Sequence, residues 1–330
     1  MENTNKKVSV VIPNFNGEEF INNCLDSVFE QQYPDMEVIV VDDCSTDSSM
    51  EMLEERENIR LICNDKNSGF ACSVNRGIEA AEGDYILLLN NDVVLDTDFI
   101  DVMCSAIEKE DRVFSVSSKM IRYRERELLD DTGDFMSILG WGWKRGDGMP
   151  IRFFDKADQV FSACAGAGLY RSSVFDEIGL FDENHFAYLE DIDIGWRAMI
   201  YGYQNRYEPG ARCFHIGSAT TAGGEKYSPF KVEISARNNI YLVYKNTPAL
   251  LLAVNMPFLA AGFGIKYCHF LRLGYGESYK RGIQEGFKNL YRLKKVAVNR
   301  KNWKNFARIE AKLLLNTFRY GAEKIMINFK

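Results

Sequence analysis

The sequence predicts an α/β protein with a mainly parallel central sheet flanked by helices, followed by a helical, basic C-terminal extension. Three observations carry this. Apolar, β-branched runs alternate with segments of helical period over the first hundred residues, polar clusters close the apolar runs, and the charge balance reverses near residue 266. Strand and helix in alternation mean βαβ units and a parallel sheet.

The first strand is VSVVIP (8–13). In the segment after it, EEFINNCLDSVFEQQ (18–32), Phe20, Cys24, Leu25, Val28 and Phe29 fall on one helical face. MEVIVVDD (36–43) is the second strand, Ser48 to Glu57 a helix, IRLICN (59–64) a strand, ACSVNRGIEAA (71–81) a helix and YILLLN (85–90) a strand. From Asp96 to residue 160 the pattern is mixed, and GWGWKRGDGMP (140–150) reads as a Gly-rich loop with two tryptophans. Residues 164–175, 188–203 and 211–220 read as loop, helix and strand pieces that close the other side of the sheet, and 231–246 as a helix. There is no internal repeat and no low-complexity segment.

A hydrophobic content of 46% and a charged content of 26% exclude wholesale disorder. Eight cysteines without a C-x-x-C pair argue against a structural zinc site and a disulfide framework, and fit a reducing cytosol. The first strand is too short for the apolar core of a signal peptide, so the expected location is cytoplasmic.

Residues 266–330 hold 16 Lys+Arg against 4 Asp+Glu, whereas the first 265 hold 24 against 43. Twenty uncharged residues precede this basic stretch, a length near that of a bilayer span, but Pro248, Asn255 and Pro257 interrupt them. An interfacial segment or a packed helical hairpin is therefore expected over a full span. A basic amphipathic tail beside an apolar segment suits the anionic inner leaflet of a membrane. It also suits a solvated helical pair packed on the acidic main body; nucleic acid is disfavoured, because no binding motif accompanies the charge. The expected division is 1–246 for the main domain and 247–330 for the extension.

Ligands of open parallel sheets bind beyond the carboxyl ends of the strands. Asn14-Phe15-Asn16, Asp42-Asp43 and Asn90-Asn91-Asp92 all fall there. Asp42 and Asp43 suit turn capping as well as ligand contact. Asp92, flanked by two asparagines, suits a hard divalent cation, which binds through one or two carboxylates together with substrate phosphates. Glu190, Asp191 and Asp193 open a helix, where the dipole favours acids, and a cleft carboxylate among others also suits a general base. His215 is one of three histidines and could complete a metal site.

Taken together, VSVVIPNFNG, VVDDCSTDSS, NSGFACSVNRGI, LLLNNDVVL, GAGLYRSSVFDEIGLFDENHFAYLEDIDIGWRA, HIGSAT and ARNNIYLVYKN occur in the order seen in family 2 glycosyltransferases of the GT-A fold. The resemblance covers residues 6–246 and is greatest to bacterial rhamnosyltransferase-type enzymes of cell-surface polysaccharide assembly. It implies inverting transfer of a sugar, L-rhamnose in that branch, from a dTDP- or UDP-sugar to a hydroxyl of a glycan or polyprenyl-diphosphate-linked acceptor, with Mg²⁺ or Mn²⁺. It places Pro13 and Phe15 at the nucleobase, Asp43 on the base N3–H, Asp42 in support of that loop, and Asn75 among the donor contacts. Asn90-Asn91-Asp92 stands at the D-x-D position, with Asn90 in place of the first aspartate and Asp92 and His215 toward the metal. Gly166 would let the backbone approach the donor sugar. Asp191 is the implied base, with Glu190 orienting the acceptor. The chain departs from a nucleotidyltransferase, whose phosphate loop after the first strand carries Lys or Arg; here it is NFNGEEF. A non-catalytic glycan-binding scaffold would not need Glu190 and Asp191, and self-association is compatible with the sequence.

Overall fold

The computed structural model describes residues 6–216 and 227–328. Its first half is the expected alternation: β1 (Val8–Asn14), α1 (Ile21–Phe29), β2 (Met36–Asp42), α2 (Ser49–Glu54), β3 (Arg60–Cys63), α3 (Phe70–Ala80) and β4 (Tyr85–Leu89). The chain continues through β5 (Val93–Leu95), α4 (Phe99–Glu108), β6 (Val113–Arg122), β7 (Leu129–Asp131), β8 (Asp134–Met136), β9 (Gly142–Lys144), β10 (Asp158–Val160) and β11 (Ala167–Arg171). It closes with α5 (Ser172–Ile178), α6 (Glu190–Ile200), β12 (Gln204–His215), α7 (Pro229–Asn246), α8 (Ala249–Arg272), α9 (Gly276–Lys288) and α10 (Trp303–Asn328).

The sheet runs β10, β12, β6, β11, β4, β1, β2, β3, with β5 paired to β12 and β7 to β6. β1 pairs in parallel with both β2 and β4, β2 with β3, and β12 with β6, whereas β11 lies antiparallel between β4 and β6. Strands buried on both faces read as continuous apolar runs. Tyr85–Leu89 is buried throughout, with Leu87 and Leu89 packing on one side and Ile86 and Leu88 on the other.

Two expectations are corrected. Residues 140–150 are not a free Gly-rich loop: Gly142–Lys144 pairs antiparallel with Asp134–Met136 as a hairpin. Both tryptophans are tied to the C-terminal helices, Trp141 Nε1 donating to the Gly262 carbonyl (3.0 Å) and Trp143 Nε1 to Glu323 (3.1 Å). Nor do Pro248, Asn255 and Pro257 interrupt the apolar stretch, since α8 runs unbroken for 24 residues. Pro248 caps it. Pro257 and Ala253, whose carbonyl is left without its helical donor, are both on the exposed side, and Asn255 turns inward to donate to Glu310 (2.8 Å).

The extension packs on the main body. A Cβ at Gly282 of α9 would stand 2.1 Å from the Glu233 carbonyl of α7, so that helix crossing requires glycine. Phe306, Ile309 and Leu313 of α10 join one core with Ile192, Trp196 and Leu259.

Candidate active site

The carboxyl ends of β1, β2 and β4 meet through Asn14. Its amide donates to Asp42 (2.8 Å) and to Ser49 Oγ (3.0 Å), and its oxygen accepts from Asn91 Nδ2 (2.8 Å). Gly17 lies against this junction, where a Cβ would meet Asn14 and Asn91 at 2.3 Å. Asp42 also accepts from the backbone and hydroxyl of Ser45, and so supports the loop after β2. Asp43 is buried and accepts from Asn64 Nδ2 (2.6 Å) and from the N–H groups of Ser68 and Gly69 (2.8 Å each). Pro13 and Phe15 are half-buried at the end of β1.

Asn75 stands apart from this row. Its amide donates to the Phe181 carbonyl and Glu183 and accepts from Phe181 N–H, tying α3 to the 181–183 loop. Asn90 N–H donates to the Gly166 carbonyl (2.9 Å), which sets Gly166 against the end of β4.

Asp92 and His215 face each other, both buried, with Oδ1 and Nε2 3.3 Å apart. The parallel pairing of β12 with β6 and the antiparallel pairing of β5 with β12 bring them together across the sheet. His215 Nδ1 lies 2.9 Å from Asp130 Oδ2, which also accepts from Lys144 Nζ (2.7 Å). Burial alone would lower the imidazole pKa, but the Asp92 and Asp130 carboxylates outweigh it and raise it to about 9. The rest of HIGSAT, from Gly217 on, lies outside the described residues.

The acids at the start of α6 divide into two kinds. Glu190 and Asp191 lie beside each other, Asp191 also beside Asp134. Burial, then the neighbouring Asp191 charge, raise the Glu190 carboxyl to about 8, and its Oε2 has no hydrogen-bond partner among the described residues. Asp191 Oδ1 accepts from Ile192 N–H (2.7 Å), and burial raises this carboxyl also. Asp193 points into the core. It accepts from Arg197 (2.9 Å), Lys245 (2.9 Å) and Asn246 (2.7 Å) with no solvent exposure.

Burial would raise the Asp193 carboxyl, but Lys245 and Arg197 overcompensate and hold it well below the usual range. Its stabilisation is therefore complete above the unfolded value of about 3.9 and lost as pH falls through the lower, folded one. Asp193→Ala would take the carboxylate from buried Arg197 and leave Lys245 with Asp182 alone; we expect it to cost about 3–5 kcal/mol, read as a lower urea midpoint.

The approach to α6 is strained. Phe186, Tyr188 and Leu189 have φ of 63°, 70° and 68°, a region that side-chain-bearing residues rarely occupy. Asn238 of α7 holds this loop: its Nδ2 donates to the carbonyls of His185 (2.9 Å), Ala187 and Tyr188 (2.8 Å each). Arg237 donates to the carbonyls of Asn184 and His185. The ARNN motif thus holds the loop that leads into α6.

Sequence reasoning missed Asp130, Asp131, Asp134 and Lys144. The donor atoms of Asp131, Asp134 and Cys164 lie within 4.8 Å of one another, and Asp134 is within hydrogen-bond reach of Asp191. The available signal was three acids in LLDDTGD between apolar residues.

The sheet is mixed rather than mainly parallel, but its parallel strands β1, β2 and β4 carry acids and amides at their carboxyl ends, where ligands of α/β sheets bind. The chain belongs to glycosyl transferase family 2, whose model matches residues 9–179. It is 25% identical over 221 residues to the poly-beta-1,6-N-acetyl-D-glucosamine synthase of Staphylococcus epidermidis, covering 66% of this chain and 51% of that one. The chain thus spans about half the length of the curated relatives it matches. The fold is similar to that of GalNAc-T7 solved with UDP, GalNAc and Mn²⁺ (TM-score 0.60, 16% identity, 74% of this chain and 48% of that chain). It is also similar to Staphylococcus aureus TarS 1-349 in complex with UDP (TM-score 0.52, 18% identity, 86% and 92%). The architecture is GT-A.

Proposed function

We propose that the protein transfers a sugar, with inversion, from a nucleoside-diphosphate donor to an acceptor hydroxyl. The observation that carries this reading is convergence: Asp92 and His215 at one side, linked through Asp130 and Lys144 to the acids around Asp191 at the other. Asp191 takes the hydroxyl proton as the acceptor attacks, and Glu190 orients the acceptor. Asp42 and Asp43 shape the nucleotide end with Pro13 and Phe15, while Asn90, Asn91 and Gly166 line the path between. Attack opposite the diphosphate inverts the anomeric carbon without a covalent enzyme intermediate.

The facing Asp92 carboxylate and His215 imidazole suit Mg²⁺ or Mn²⁺, with Asp130 as the partner that fixes the imidazole. Bound there, such an ion neutralises the leaving diphosphate as a Lewis acid. The donor we propose is a UDP- or dTDP-sugar, with L-rhamnose as the sugar to test first. Calorimetric titration with UDP, dTDP and GDP, each with and without Mn²⁺ or Mg²⁺, tests this. One nucleotide should bind tightly only with the metal; binding of none by folded protein would overturn the donor reading.

The acceptor we propose is lipid-linked, with residues 1–246 forming the transfer domain and 247–330 resting on the cytoplasmic face of the membrane. Among the described residues α8 is the one helix long and apolar enough to cross a bilayer, and only 17% of its apolar window is buried. Leu250, Val254, Met256, Phe258 and Ile265 are exposed along it, and Phe287, Tyr291 and Phe318 on the neighbouring segments. The inward Asn255–Glu310 contact favours lying at the interface over spanning. Basic residues there contribute on the order of 1 kcal/mol each at an anionic surface. The protein should float with anionic vesicles at low salt, and Val254→Glu combined with Ile265→Glu should release it. Wild-type protein left in the soluble fraction would count against docking.

A further inference from the structure

Outside the acids already given roles, the structure holds a buried carboxyl that the transfer reading leaves unused. Asp134 is 5% exposed on β8, and Asp131 on β7 is fully buried. Asp134 lies within hydrogen-bond reach of Asp191, and among the described residues neither its Oδ2 nor Asp131 Oδ2 has a hydrogen-bond partner. Two carboxyls can make such a contact only if one keeps a proton, because two adjacent carboxylates in a water-poor pocket repel strongly.

The surroundings decide which one keeps it. Asp134 is faced by Asp131 from β7, Lys144 from β9, Cys164 from the loop before β11, Tyr170 from β11, and Asp191 from α6. Lys144 is the cation among them, and it is already paired to Asp130. Asp191 instead receives backbone N–H groups, from Ile192 at 2.7 Å and from Ala165, which favour its ionised form. Burial, then the charges of Asp191 and Asp131, push the Asp134 carboxyl far upward.

We propose that Asp134 is a positioning residue that keeps one proton at neutral pH, donates it in a hydrogen bond to Asp191, and so holds that carboxylate ionised and oriented toward the acceptor hydroxyl. The Asp134 proton stays in place through the reaction. The proton that Asp191 removes is the acceptor's own, so the two sites hold two protons after transfer and return one to solvent. The inference rests on Asp191 as the base. It goes beyond that assignment by explaining how a half-buried carboxyl remains ionised among other acids.

The test is carbon NMR of aspartate-labelled protein in the absence of any substrate, followed from about pH 4 to about pH 9, with Asp134→Asn and Asp134→Leu for comparison. In the wild type the Asp134 carboxyl should be neutral and that of Asp191 ionised at about pH 7. Asn, whose amide still donates, should leave the Asp191 midpoint near its wild-type position. Leu, which cannot donate, should move it upward by about one pH unit or more. An ionised Asp134 at neutral pH, or a downward shift in Asp134→Leu, would overturn the proposal, because a charged neighbour raises Asp191 and its removal lowers it. Binding of Mn²⁺ by the wild type that Asp134→Asn abolishes would also overturn it, replacing the proton with a cation. If Leu fails to fold, the Asn variant and the wild-type titration still decide. Failure of the base assignment would show separately, as retained turnover in Asp191→Asn.

Discussion

Asp191→Asn lowers turnover by about 10²–10⁴-fold while metal-dependent nucleotide affinity stays within a few-fold of wild type. The substitution keeps the shape of the side chain and an oxygen able to accept from Ile192 N–H, so the start of α6 is preserved. It removes the one group proposed to accept the acceptor's proton. Binding is spared because the proposed nucleotide end of the crevice, built on Asn14, Asp42 and Asp43, makes none of these hydrogen bonds to Asp191. Single-turnover kinetics paired with calorimetry separate the two effects. Near-normal turnover would remove Asp191 from the role of base.

Asp92→Ala abolishes the metal-dependent part of donor binding, a loss of at least about 100-fold in the affinity gained on adding Mn²⁺. Without Asp92, His215 retains Asp130 but loses the carboxylate that faces Nε2. Asp130→Asn should act in the same direction but more weakly, by about 10–100-fold, because it alters the partner of a ligand rather than a ligand. Titrations with and without metal measure both. Equal metal dependence in Asp92→Ala and wild type would displace the metal from this end of β4. The wild-type site should also bind metal more tightly as pH rises toward about 9, since His215 must release its proton to ligate.

The first half of the fold was legible because its signals are local. β1, β2 and β4 are mostly apolar runs buried on both faces, and each ends where polar residues begin, whereas β3 at the sheet edge is partly exposed. Those ends gave Asp42, Asp43 and Asn90-Asn91-Asp92 by position alone. What was not legible needed contacts between segments distant in the chain. Asp193 sits in the same acidic run as Glu190 and Asp191, yet Lys245 and Arg197 make it part of the core. Pro257 carries a helix-breaking signal that an exposed helix face makes harmless.

The sequence by itself determined the βαβ layout, the residues at the strand ends and the reversal of charge toward the C-terminus, because periodicity and composition act over a few residues. Only the tertiary structure decided that Asp130 meets His215 across 85 residues of chain and that Asp134 meets Asp191. A carboxyl's partner and its proton depend on which groups are excluded from water together, and that is a property of the packed pocket rather than of any segment.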